Sequence, residues 1–187
     1  MTDPSPARSI SVEVPGVVVL VGAAGAGKST FAAARFDPAE ILSSDDLRAA
    51  VAGDPSDQRA TRLAFSILHR EVRRRLAAGR LVVVDATNVE RHARLGLVRL
   101  ARAAGVPAVA IVLFADRAAI HAQNAGRPGR AVPAEIVDRH LAALGRLGDG
   151  PDAIPVALAL EGFAAVHLVD GSGTPPAIER RPATTAR

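Results

Sequence analysis

Three observations predict an α/β fold with a mainly parallel sheet flanked by helices on both faces. Short runs of β-branched and aliphatic residues recur along the chain, and stretches with helical periodicity separate them. A glycine-rich segment stands directly between the first run and the first helix. The 187 residues suffice for one such domain and are too few for two large catalytic ones.

Taken in order, Val17 to Val21 reads as a buried parallel strand closed by Gly22, with a helix over Ser29 to Arg35 behind it. A short strand over Glu40 to Leu42 leads into Ser43-Ser44-Asp45-Asp46, where Ser or Asp caps a helix running to Val51, and Gly53-Asp54-Pro55 breaks it. A long amphipathic helix fits Gln58 to Ala78, with Leu63, Ile67, Leu68, Val72 and Leu76 on its apolar face and Gly79 as its stop. Leu81 to Val84 is the next strand, ending at Asp85, and Thr87-Asn88 opens a helix that Gly105 and Pro107 terminate. Ala108 to Phe114 is a fourth strand. A helix over Arg117 to Asn124, an Arg/Gly/Pro loop at Gly126 to Ala131 and a helix from Pro133 to about Leu147 follow it. Ala164 to Val169 closes the sheet. The expected organisation is a disordered start over residues 1–11, one folded domain over 12–170 and a tail over 171–187.

Composition excludes several classes. With 49% hydrophobic and 22% charged residues the balance is globular, and no apolar run reaches the roughly 18–20 residues of a membrane span. Met1 to Ser9 lacks a basic segment followed by a long apolar core, so a cytoplasmic location is expected. Cysteine is absent, which removes disulfides, thiolate zinc sites and cysteine nucleophiles. The five histidines show no ligand spacing, and no zinc is expected. The net charge of +4 suits a phosphate-rich ligand but is far from that of a duplex-coating protein. The chain's single lysine is Lys28.

That lysine lies in Gly22-Ala23-Ala24-Gly25-Ala26-Gly27-Lys28-Ser29, a complete Walker A pattern in the strand–loop–helix context it requires. The glycines let successive N–H groups face phosphate oxygens, and the helix that follows through Thr30 adds its positive end. Lys28 is placed for the β- and γ-phosphates of ATP, and the Ser29 hydroxyl for Mg²⁺. Asp45, at the end of a strand expected to neighbour the P-loop strand, is a candidate base for an acceptor hydroxyl. Arg48, one helical turn on, is a candidate contact to an acceptor phosphate; a helix cap with an i,i+3 ion pair would leave the same residues. Asp85 occupies a strand-end position suited to a Mg²⁺-bound water, and a strand-ending turn is its structural alternative. Arg127 and Arg130, in Arg-Pro-Gly-Arg, read as a lid closing over ATP, against a solvated basic loop.

Together GAAGAGKSTFA, ILSSDDLR, LVVVDATNVE, NAGRPGRAVPAEIVDRH and LEGFAAVHLVD resemble the kinase module of bacterial polynucleotide kinase/phosphatase RNA-repair enzymes, and more distantly phage polynucleotide kinase, from about Val14 to Pro182. The resemblance implies a P-loop fold with an arginine-bearing lid, ATP and Mg²⁺ as cofactors, and a 5′-OH end of RNA or DNA as acceptor. It also implies Asp45 as general base, Arg48 on the phosphate 3′ to the acceptor, and Arg127 and Arg130 as lid arginines. In the bacterial enzymes phosphatase and nucleotide-transfer modules follow this one. This chain stops soon after Pro182, which reads as either a natural stand-alone kinase or an excised domain, and the resemblance implies phosphatase or ligase repair modules as fused or separate partners. With no Trp or Tyr and five Phe, recognition of only the terminal nucleotide or two is expected, mainly through phosphate. Two other classes stay open: a P-loop kinase for a sugar acid or nucleoside, and a nucleotide-dependent switch with no acceptor.

Overall fold

The computed structural model describes residues 9–51, 58–127, 131–148 and 153–183, and the breaker Gly53-Asp54-Pro55 falls outside them. Among the described residues the strands are β1 (Ile10–Val14), β2 (Gly16–Val21), β3 (Ile41–Ser43), β4 (Leu81–Asp85), β5 (Ala108–Phe114), β6 (Ala165–Asp170) and β7 (Ile178–Pro182). The helices are α1 (Lys28–Arg35), α2 (Ser44–Val51), α3 (Gln58–Ala77), α4 (Arg91–Ala103), α5 (Arg117–Ala125), α6 (Ala134–Gly145) and α7 (Ala153–Glu161).

Five strands form an all-parallel sheet in the order β3-β4-β2-β5-β6. Side chains on a strand alternate between faces, so a strand covered on both sides must be apolar throughout; β2 is buried along its whole length. Val17, Val19 and Val21 face one layer, with Leu68 and Val72 of α3, Leu97 of α4 and Leu158 of α7. Val18 and Leu20 face the other, with Phe31 of α1, Ile120 of α5 and Val137 of α6. The chain leaves β2 toward β3 and β4 on one side and later crosses to β5 on the other. The loop after β2 therefore sits at the switch point where such sheets bind ligands.

Several expectations are corrected. The strand before Asp45 does not neighbour the P-loop strand, because β4 lies between β3 and β2. The ends are not wholly disordered: β1 pairs in parallel with β7, Ile10 opposite Ile178 through Val14 opposite Pro182. Ile10 and Val12 join the core beneath the sheet. Leu63 is exposed rather than on the buried face of α3. Thr87-Asn88 does not open a helix: Asn88 has φ 47° and α4 begins at Arg91. The Asn88 amide instead donates to Leu20 O at 2.8 Å, fastening the β4 exit to the P-loop strand. Helix α7 is absent from the sequence-derived elements.

Candidate active site

The loop from Gly22 to Gly27 depends on two left-handed residues. Gly25 has φ 87° and Gly27 φ 84°, a region that L side chains avoid. Space is as restrictive as conformation. A Cβ on Gly25 would strike Ile120 O of α5, and one on Gly22 would lie 2.7 Å from Leu113 O. On the far side, a Cβ on Gly171 would run into Ala26 O, so the turn after β6 walls the loop. Lys28, Ser29 and Thr30 form the first turn of α1, whose N–H groups have no acceptor within the helix.

The Lys28 ammonium lies over this loop, donating to Gly22 O at 3.0 Å and Ala23 O at 2.7 Å. It is buried, and desolvation brings its pKa down to about 8, against the opposing pull of Asp85; the neighbouring Arg127 charge adds to the fall, and Asp45 opposes it. Asp85, Arg127 and Asp45 thus all lie within electrostatic reach of Lys28. Asp85, at the end of β4 and opposite Ser43 in the strand register, is 8% exposed. Burial raises its carboxyl above the ordinary range, and a hydrogen bond with Ser29 and the charge of Lys28 counter that rise.

Asp45 sits in the first turn of α2, which Ser43 caps by accepting the Asp46 N–H at 3.2 Å. Its carboxylate is bracketed by Arg48, which donates to Oδ1, and by Arg127, whose guanidinium nitrogen is 3.7 Å from Oδ2. Arg130 lies outside the described residues. The base of the arginine loop is clamped by Asn124, which donates to Val132 O at 2.8 Å and accepts from Val132 N at 3.2 Å.

A hydroxyl and a carboxylate side by side at a strand end suit a magnesium ion that keeps most of its water and takes phosphate oxygens. Among the described residues no group of three or more His, Cys, Asp or Glu is arranged to hold a metal, so the fit is to that lightly held ion, with Ser29 and Asp85 as its side chains. Asn124 and His140, whose Nδ1 accepts the Ala24 N–H at 3.4 Å, were given no role in the site from the sequence, and Asn88 was read there as opening a helix. Their partners lie far away or depend on a backbone turn, and only an Asn between a strand and a helix gave any signal.

An AAA domain family profile matches residues 17–147, and the chain belongs to that family. Its fold is that of an α/β P-loop NTPase, and solved kinases share it. A gluconokinase from Sinorhizobium meliloti 1021 is 19% identical with a TM-score of 0.52, over 86% of this chain and 85% of its own. A chain of the Pnkp1/Rnl/Hen1 RNA repair complex is 22% identical with a TM-score of 0.61, over 72% of this chain and 45% of its own. A chain of the PezAT toxin-antitoxin system of Streptococcus pneumoniae is 14% identical with a TM-score of 0.62, over 89% of this chain and 71% of its own. At these identities the likeness concerns the fold. No curated protein matches the sequence. No described helix is long and apolar enough to cross a membrane.

Proposed function

We propose that the chain is a phosphotransferase that moves the γ-phosphate of ATP onto the 5′-hydroxyl of an RNA or DNA end. The observation that carries this reading is the placement of Asp45 between Arg48 and Arg127, within electrostatic reach of Lys28. Nucleotide binding alone needs no carboxylate there, whereas transfer to a hydroxyl needs a group to take its proton. In the proposed reaction the 5′-oxygen attacks the γ-phosphorus in line. Its proton passes to Asp45, and the bond to the β–γ bridging oxygen breaks to release ADP. Lys28 holds the β- and γ-phosphates, and Arg127, with Arg130 as a proposed second lid arginine, neutralises charge spreading over the transferring group. Such an arginine is worth about 10³- to 10⁵-fold in rate. Arg48 orients the acceptor through the phosphate on its 3′ side. Ser29 and, through water, Asp85 would hold a magnesium ion, which would supply neutralisation of the phosphate charge. Phosphatase and ligase repair modules are the proposed partners.

A second reading, transfer to a small sugar acid, draws on the gluconokinase match along nearly the whole of both chains. The test is a comparison of Asp45→Asn and Arg48→Ala in steady-state transfer. Asp45→Asn is expected to lower kcat at least about 10²-fold while ATP affinity stays within a few-fold, and Arg48→Ala to raise KM for the oligonucleotide. An Asp45→Asn enzyme with undiminished kcat would remove the base from the mechanism.

A further inference from the structure

The buried ion pair of Arg94 and Glu161 touches no reacting group, yet one side of it holds the segment that leaves Asp85. Nε and Nη2 of Arg94 donate to the two Glu161 oxygens at 2.7 Å each, while Nη1 donates to Asn88 O at 3.0 Å and Val89 O at 2.7 Å. Asn88 and Val89 are buried, and they lie in irregular chain with Asn88 in the left-handed region at φ 47°. Buried carbonyls outside helices and strands need a donor. Arg94 is that donor.

The same segment is fastened to the root of the phosphate loop. Thr87 O accepts the N–H of Gly22, the first Walker A residue, at 3.0 Å, and the Asn88 amide donates to Leu20 O at 2.8 Å. At the near end stands Asp85, hydrogen-bonded with Ser29. Residues 85–89 thus carry a site carboxylate and an attachment of the phosphate loop, and their far end rests on Arg94. A buried ion pair rarely stabilises a fold more than apolar side chains of the same volume. What apolar side chains cannot do is donate to two carbonyls.

We infer that Arg94 is a positioning residue for the nucleotide site: by holding Asn88 O and Val89 O it fixes residues 85–89, and with them the Asp85 carboxylate and the Gly22 end of the phosphate loop. This rests on ATP and magnesium binding at that loop, not on the identity of the acceptor. Three variants separate positioning from stability. Arg94→Met with Glu161→Leu keeps the packing and removes the donors. Arg94→Lys keeps a charge for Glu161, but its ammonium cannot also span both carbonyls. Glu161→Gln keeps Arg94 on the carbonyls and leaves its charge without a carboxylate. Each is read by thermal denaturation, by NMR amide exchange of Gly22 relative to Val19 in the nucleotide-free protein, and by calorimetry of ATP across magnesium concentrations.

In the double variant Gly22 exchange is expected to rise about two- to tenfold relative to Val19, the range of one neutral hydrogen bond. The magnesium concentration that half-saturates ATP binding should rise about tenfold, as for partners standing behind a metal ligand, with Tm close to the parent's. Arg94→Lys should repeat both site effects, which keeps the test decisive if the double variant does not fold. Glu161→Gln is expected to do the reverse: the unpaired buried charge lowers Tm, and both site readings stay within about twofold of the parent's. Unchanged Gly22 exchange and magnesium dependence in the Arg94 variants, or equal losses in Glu161→Gln, would overturn the positioning role. Absence of ATP binding by the parent would instead overturn the nucleotide site, and Gly22 exchange would still decide for Arg94.

Discussion

Lys28 shows how strongly a single residue is conditioned by its surroundings. Burial brings its pKa down to about 8 in the nucleotide-free protein, so the side chain is mostly charged at neutral pH and mostly neutral above pH 9. A triphosphate prefers the ammonium form. Affinity for ATP is therefore expected to be flat from pH 7 to about 7.5 and to weaken as pH rises through 8, approaching tenfold per unit. Titration calorimetry across pH 7–9.5 checks this, and Lys28→Arg, which stays charged, should lose the slope whatever its absolute affinity. The pattern around Lys28 was open to reading because a Walker A segment is local: eight residues and their flanking strand and helix carry it. Asp45, Arg48, Asp85 and Arg127 were also singled out from local context; the structure brings Asp45, Asp85 and Arg127 within electrostatic reach of Lys28 and pairs Arg48 with Asp45. His140 and Asn124 were not, since each acts through a partner that no local pattern names.

At the scale of elements, the strands of the main sheet announce themselves because a strand buried on both faces has no polar position to hide. The exceptions have physical causes. Helix α7 is apolar all round and carries Pro155 near its start, so it has no amphipathic period to read. Strand β7 holds Glu179, Arg180 and Arg181 with exposed side chains, and only its pairing with the distant β1 makes it a strand. The order of the sheet was equally hidden, since an intervening β4 can be placed only by the crossovers. The α5–α6 connection carries its own expectation. Asn124→Ala removes both bonds to Val132; it should raise the hydrogen-exchange rate of residues 125–133 and lower kcat more than it weakens ATP binding. Unchanged exchange there would show that the loop is held by something else.

Among the described residues the two layers meet the sheet largely through apolar contacts, and a buried charge pair joins two helices of one layer. Arg94 of α4 is 1% exposed and makes two bonds of 2.7 Å to Glu161 at the end of α7, while also donating to Asn88 O and Val89 O behind the active-site strand. The same guanidinium thus ties the layer to the segment after Asp85. Breaking such a pair from one side costs about 3–5 kcal/mol, because the other charge stays buried. Arg94→Ala is expected to lower Tm by on the order of 10 °C. Arg94→Met with Glu161→Leu should recover most of that loss, as read by thermal denaturation. A full-sized loss in the double variant would mean that the bonds to Asn88 and Val89, not the charge pair, hold this layer.

The central claim concerns the acceptor, and it is tested most directly by transfer of labelled γ-phosphate from ATP with Mg²⁺. The acceptors are 5′-hydroxyl RNA and DNA oligonucleotides, a nucleoside with and without a 3′-phosphate, and gluconate. End-labelling of the oligonucleotides and of the 3′-phosphorylated nucleoside, with little on the plain nucleoside or gluconate, is the predicted result. Labelling of gluconate alone would contradict it and make the chain a small-molecule kinase built on the same site.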